Sequence, residues 1–587
     1  MNLNTRKYRL FFPLFLFLLL SLAGCQKQKT SSDDASFRAF TKQCWEEFVS
    51  ADAISLHFKL SDPSSYGISE QSSPSYGDFS FEKQQKECIR ARELLSELQD
   101  FSPQRLSPEN QRTYAIFQKA LENISSSEDY ILHQSLLGTN GVPSQIPVTL
   151  SEYYFTNEKD VKTYLSLVNQ IPALFEQLLS FEEKRRSAGF ISPDFVISNT
   201  IAQVEDFLKY SEDKNLLVET FEEKIEQLPS LSKDQKTTYI QNNRALVRQV
   251  VLPAFRSLQT SLKKWENSYP EKERLCQYDG GQEYYQWLLS SKTGTSLTPD
   301  ECIDILESQL QASIQSLSSL SEEHPDIYTD YLASSPLLKD ADAILSELEA
   351  DAFIDFPEIP EVSYTLKEVP HALSSSSASA FYFLPPIDVK NQNVIYLNSS
   401  RIDRQELFST LAHEGYPGHL YQTNYFLNTD ADPLRYLLSC DGWEEGWGTY
   451  AQIYSYQYMD FEETDRETTL LLQQMYKEND LISLALSSLS DLYVNYKNYT
   501  PEKLAQYLGT YGVEPSAIQN IYEYVIENPT TYLSYSIGYY ELEKLKTEVA
   551  DEMGDDFDIQ EFHQAVLDVG SCPFSLLKEQ VSSLLVS

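Results

Sequence analysis

The residues best suited to chemistry are crowded into one stretch, Leu411-Ala-His-Glu-Gly-Tyr-Pro-Gly-His-Leu-Tyr-Gln422. The chain has only 7 histidines in 587 residues, yet His413 and His419 both stand here around Glu414. Imidazoles beside a carboxylate suggest a hydrolytic zinc site, where three protein ligands leave a fourth position open for water. The His-Glu-x-x-His spacing of zinc proteases is missing, because Pro417 stands four residues after His413. On an unbroken helix, positions six apart lie roughly 240° apart, on nearly opposite faces. Pro417 has no amide hydrogen and its ring collides with the preceding turn, and Gly418 accepts backbone angles that other residues avoid. A break at Pro417-Gly418 can therefore swing His419 back toward His413.

A third ligand is expected in Asp441-Gly-Trp-Glu-Glu-Gly-Trp-Gly-Thr-Tyr-Ala-Gln452. Glu444 follows Asp441 by three residues, the spacing of a capping box, so its expected role is to close a helix start. Glu445 is left for the metal. Glu414, directly after the first ligand, sits beside the ion without pointing at it and can accept a proton from a water whose pKa zinc lowers to about 7. The developing oxyanion needs a donor such as a tyrosine hydroxyl. With 39 tyrosines in the chain, composition does not choose among them.

These residues must be positioned by helices. Apolar residues recur at three- and four-residue intervals from Phe37 onward, as in 88–98 and 301–310, which predicts a mostly α fold. A helix carrying His413 is expected to begin near Arg404. Between Phe381 and Asn398, aromatic and β-branched residues predict one strand region. The proline-bearing Asp355-Phe-Pro-Glu-Ile-Pro360 is the expected boundary between an N-terminal helical region, 37–360, and a catalytic region, 361–587.

The first residues bear on compartment. Arg6, Lys7 and Arg9 precede an apolar run, Leu10–Leu20, that is short for a membrane span and has the layout of an export signal. Its ending, Leu22-Ala-Gly-Cys25, resembles a bacterial lipobox, so residues 1–24 would be removed and Cys25 lipidated. The alternative is a secretory signal that happens to contain a cysteine. Residues 25–36 are polar, as expected of a tether. A formal charge of −41 argues against nucleic-acid binding. Six further cysteines permit disulfides in an exported protein, with Cys44–Cys88, Cys276–Cys302 and Cys440–Cys572 as the expected pairs and free buried thiols as the alternative.

The segment His413–Gln422, followed by Glu445-Gly-Trp-Gly-Thr-Tyr450, resembles the bacterial family known as domain of unknown function 885. That family is grouped with zincin metallopeptidases and looks like a distant relative of the helical neurolysin and thimet-oligopeptidase type. The similarity takes in 381–386 and 393–398 upstream, and 491–496, 532–539 and 561–570 downstream. The resemblance implies a bilobed neurolysin-like helical fold with a small β-sheet near the active site, and zinc held by His413, His419 and Glu445 with Glu414 as general base. Tyr535 is then the candidate for oxyanion stabilisation, with Tyr532 in reserve. His563 either reaches the same cleft or packs between helices. The architecture also suggests that an extended peptide adds to an edge strand around Val394, Tyr396 and Asn398. Against the family pattern, Leu420 and Asn495 stand where many relatives carry histidine, and Ser536 where an aromatic residue is frequent.

The resulting expectation is a monomeric, membrane-anchored zinc metallohydrolase on the extracytoplasmic face, acting on short peptides. Its rival is a lipoprotein that captures peptides or cell-wall fragments without cutting them. Such a binder has no need of Glu414 beside the ligands.

Overall fold

The three- and four-residue apolar spacing becomes helix along most of the described residues. The structure, a computed structural model, describes residues 32–69, 73–210, 212–268, 272–369, 378–390, 392–402 and 405–585. The expected signal 1–24, Cys25 and Arg404 lie outside the described residues. Helix already begins at Ser32, within the stretch 25–36 expected to be a tether. Asp34 accounts for this, since its buried carboxylate accepts from the Ser107 amide at 2.8 Å and the Asn110 side chain at 2.7 Å. Among the described residues, no helix is long and apolar enough to cross a membrane.

Two large cores divide the packing. The first surrounds the 30-residue helix Glu158–Ser187, started by an Asn157–Asp160 capping box; Tyr164, Leu167, Ile171 and Leu178 on its buried face meet Phe221, Val247 and Phe255. The second holds the candidate site. In it Leu345, Leu348 and Phe356 pack with Leu411, Trp447 and Val566. The boundary expected at 360/361 therefore does not separate cores, because the helix Ala341–Asp355 buries its apolar face against elements beyond it.

All six described cysteines are free, so the pairs expected at 44–88, 276–302 and 440–572 are not formed. Cys44 packs with Phe37 and Trp45, whereas Cys88 packs with Ile131 and Phe181 in a different cluster. They serve as small apolar side chains.

A three-stranded sheet stands beside the site. Its strands are β1 (Tyr364–Glu368), β2 (Ala380–Phe383) and β3 (Asn393–Leu397), in the order β1-β3-β2. β3 pairs in parallel with β1 and antiparallel with β2. This corrects the expectation for Val394, Tyr396 and Asn398. Val394 and Tyr396 lie on the central strand, whose backbone groups are taken up on both sides, so no peptide can add there. Tyr396 stacks on Phe381 at 4.8 Å and its hydroxyl donates to Glu152, tying the sheet to the N-terminal core. Asn398 is buried just beyond β3 and donates to the Ala378 carbonyl at 3.2 Å.

The open edge toward the site is β2. The Tyr382 amide points away from β3, as its hydrogen bond to Glu414 shows, while the Ser379 carbonyl points toward β3 and accepts from the Asn398 amide at 2.8 Å. By the alternation of a strand, Ala380 and Tyr382 present their backbone groups outward.

Candidate metal centre

Five helices build the site, α1 (Leu407–Glu414), α2 (His419–Leu427), α3 (Asp441–Ser455), α4 (Arg466–Asp491) and α5 (Thr531–Met553), and a sixth, α6 (Ile559–Val569), packs against α2. α1 buries Phe408, Leu411 and Ala412, and carries His413 and Glu414 as its last two residues. The chain then leaves the helix at Gly415 and re-enters at His419, the first residue of α2. The Trp447 indole donates to the Pro417 carbonyl at 2.9 Å and holds the break in place. As the spacing predicts, the interruption turns the two rings toward each other, with centroids 4.7 Å apart.

Glu445 completes the cluster from one turn into α3. Its Oε2 lies 3.5 Å from His413 Nε2 and 3.4 Å from His419 Nε2. Ligand atoms about 2.1 Å from a tetrahedral ion are themselves roughly 3.4 Å apart, so this donor set fits zinc. Glu445 Oε2 is also buried without a hydrogen-bond donor, as a ligand atom awaiting a cation should be. Among the described residues, these three form the one cluster of histidine, cysteine and carboxylate side chains close enough to hold a metal, with ligand atoms within 4.8 Å of one another.

The electrostatics agree. Burial opposes ionisation of Glu445, but the two imidazoles that face it overcome that and hold the carboxyl well below its ordinary range. Burial likewise opposes charge on His419, yet Glu445 and then Glu414 raise its pKa to about 9. Both shifts mark a pocket that attracts positive charge.

Glu444, one residue earlier, turns away. It does not cap α3, whose N-cap is Cys440. Its carboxyl accepts from the Ser571 hydroxyl at 3.0 Å, and that oxygen accepts from the Cys440 amide at 2.8 Å. Burial pushes the Glu444 carboxyl up to about 7.

Glu414 accepts from the Tyr382 amide of β2 through Oε2 at 2.8 Å, which places the expected base between the ligands and the open strand edge. Tyr535, on α5, stacks on His413 with centroids 5.8 Å apart. Burial and the charges of Glu445 and Glu414 hold its phenol well above the usual value, so it remains a donor. Tyr532 faces elsewhere, against Tyr524 at 5.2 Å.

His563, on α6, is not part of this cluster, which corrects its expected place in the cleft. It stacks on Phe356 at 3.9 Å, and both ring nitrogens are taken, Nδ1 at 2.7 Å from the Asp355 carbonyl and Nε2 at 2.8 Å from the Tyr450 hydroxyl. Burial lowers its pKa from 6.5 to about 3. Between those values the unfolded chain binds a proton that the folded chain refuses, so the stability conferred by the neutral ring is full above about pH 6.5 and is lost as pH falls toward 3. Denaturant titrations of wild type and His563→Phe at pH 7 and pH 5 should therefore show a smaller loss of stability on acidification in the variant. An equal loss would mean that the ring is not held neutral. Asn495 is likewise structural, buried and donating to Asp491 at 2.9 Å and to the Val525 carbonyl at 2.7 Å.

Several site residues were missed by the sequence reading. Gln452 and Gln422 present Oε1 to the Nδ1 atoms of His413 and His419 at 3.2 and 3.3 Å. Their spacing was a usable signal, since Gln452 stands two turns after Glu445 and Gln422 three residues after His419. Gly448 was missed too. A Cβ there would lie 2.7 Å from both Cε1 and Nε2 of His413, so only glycine lets α3 pass behind that ring. Gly448→Ala is expected to weaken zinc binding by about 10–100-fold, the range seen when ligand support is disturbed. Chelator competition would measure the loss, with far-UV circular dichroism unchanged; wild-type affinity would show that the ring has room to move. Two residues back, Gly446 and Gly538 allow α3 and α5 to cross closely, since a Cβ on Gly446 would come within 2.6 Å of Gly538 Cα.

The family profile for bacterial proteins of unknown function called DUF885 matches residues 63–581. The chain is similar in structure to a protein from Colwellia psychrerythraea named provisionally as a lipoprotein, with 17% identity over 94% of this chain and 99% of that one and a TM-score of 0.82. A second solved structure, of a protein from Shewanella oneidensis named provisionally as a lipoprotein of unknown function, shares 14% identity over the same proportions with a TM-score of 0.65. At these identities the likeness shows the fold alone. Among curated proteins, none matches. On the match across most of its length, the chain belongs to the DUF885 family.

Proposed function

We propose that this protein is a zinc-dependent hydrolase of short peptides, anchored through a lipid on Cys25 at the extracytoplasmic face of the membrane. The observation that carries this reading is the convergence of His413, His419 and Glu445, with the Glu414 carboxylate and the Tyr535 phenol at its side. A neurolysin-like zincin arrangement accounts for the broken helix, the distant glutamate and the strand beside them. The two fold relatives named provisionally as lipoproteins support the anchor.

A zinc ion held by the three side chains would supply a Lewis acid that polarises the scissile carbonyl and acidifies water. Glu414 takes the proton from the attacking water and passes it to the leaving amine. Tyr535 donates to the oxygen that gains negative charge. The peptide backbone pairs with the outward groups of Ala380 and the outward carbonyl of Tyr382 on β2, whose amide is held by Glu414, which favours extended substrates with little demand on side chains.

The test is zinc content and cleavage of short peptides by the full chain. One zinc per chain with cleavage is expected; zinc-loaded protein that binds peptides and leaves them whole would replace this reading with a binding role. Tyr535→Phe should lower kcat by about 10²–10³-fold with KM little changed, as for loss of one oxyanion donor, whereas Tyr532→Phe should leave kcat close to wild type. Equal effects from the two variants would remove Tyr535 from the mechanism.

A further inference from the structure

Both ligand histidines turn Nε2 toward Glu445. For a neutral imidazole to offer that lone pair to a metal, its proton must sit on Nδ1, and the partner of Nδ1 decides whether it does. In each case the partner is a glutamine amide, which has two faces. Its oxygen stabilises the Nδ1–H form, while its NH₂ group, after a half-turn, would favour the opposite and unproductive tautomer.

The two amides differ in what holds them. Gln452 donates Nε2 to Asp480 Oδ2 at 2.8 Å, and Asp480 also accepts from the Tyr456 hydroxyl. An ionised carboxylate only accepts, so a reversed Gln452 would set two oxygens against each other in a buried place. Gln422 has no such lock, because its Nε2 is buried without an acceptor. The asymmetry singles out His413 as the ligand whose protonation pattern is built into the fold.

We infer that Asp480, acting through the Gln452 amide, is a positioning residue that holds His413 in the tautomer able to bind a metal through Nε2. The inference rests on the proposed metal centre and goes beyond it, since α4, which brings Asp480, contributes no ligand. The chain Asp480–Gln452–His413 makes the centre depend on the packing of α4 against α3. In Asp480→Asn the new side chain can either accept from Gln452 or donate to it, so the amide is no longer forced to face one way. In Gln452→Glu a carboxylate accepts directly from Nδ1–H and has no wrong face toward the ring, but it stands as a second buried acid against Asp480, a conflict that Asp480→Asn relieves by putting an amide donor there.

The experiment is a double-mutant cycle on the full chain, with zinc alone as the probe and affinity measured by chelator competition. Asp480→Asn is expected to weaken zinc binding about tenfold. In the Gln452→Glu background the same substitution should cause no loss and should improve binding, because it removes the acid that faces the new carboxylate. Gln452→Ala, which leaves Asp480 paired with Tyr456, should reproduce the tenfold loss if Asp480→Asn proves poorly folded. In the metal-free Glu445→Ala background, which removes the carboxylate competing at Nε2, nitrogen NMR of His413 should show the Nδ1–H tautomer with Asp480 present and a mixture in Asp480→Asn. Wild-type affinity in Asp480→Asn and Gln452→Ala, or the same tenfold loss with and without Gln452→Glu, would overturn the relay while leaving the metal centre standing. A wild-type chain that takes up no zinc would overturn the centre itself, and the relay with it.

Discussion

In Glu414→Gln, zinc is retained while peptide hydrolysis falls by about 10²–10⁴-fold, the contribution of a positioned general base. The substitution keeps the shape and the acceptor oxygen that meets the Tyr382 amide, and it removes only the capacity to take a proton. Because Glu414 is no member of the ligand set, zinc content separates this effect from loss of metal. The measurement is a steady-state rate on a short peptide beside metal analysis of the same sample. Stoichiometric zinc with an undiminished rate would assign the proton transfer to another group.

Glu445→Ala is expected to abolish both hydrolysis and zinc-dependent stability. A ligand that binds only the folded chain stabilises it by about 4 kcal/mol when present at 1,000 times its Kd. Chelation should therefore lower the melting temperature of wild type, and added zinc should restore it. In Glu445→Ala two imidazoles remain, too few to hold the ion against a chelator, so the melting temperature should no longer respond to zinc. Glu444→Gln is the control. Its carboxyl meets Ser571 rather than the histidines, so the zinc response should persist. A zinc shift that survives Glu445→Ala and vanishes in Glu444→Gln would mean that the third ligand had been assigned to the wrong residue.

The helical content was legible because apolar periodicity is a local signal, repeated within each turn. The interruption between His413 and His419 was legible for a related reason. Proline excludes the helical hydrogen bond at a known place, and the offset of six residues makes sense only if the helix stops there. Sheet order was not legible. Val394–Leu397 read as a strand, yet nothing within that segment says that β1 covers one side of it and β2 the other. β1 itself, Tyr-Thr-Leu-Lys-Glu, is short and largely exposed, so it carries little of the burial pattern that marks a strand.

His563 and Tyr532 show the same limit at single residues. A histidine that binds metal and a histidine that packs are the same side chain until its neighbours are known, and His563 finds Phe356, Asp355 and Tyr450. Tyr532 and Tyr535 stand three residues apart on α5, yet Tyr535 stacks on His413 while Tyr532 packs against Tyr524. The cysteines teach a related lesson. Their even number in a chain with an export-like start permitted bridges, but Cys44 and Cys88 belong to separate packing clusters.

The sequence by itself determined which residue types could serve as ligands and base, where the helix carrying them must break, and that the chain is built mainly of helices. Those features depend on backbone sterics and side-chain periods that act over a few residues. Only the tertiary structure decided that Glu444 meets Ser571 instead of capping a helix, that β2 is the edge beside the site, and that Asp480 reaches His413 through Gln452. Each of these is a contact between elements brought together by the burial of two large cores, and no local pattern records which faces such cores press together.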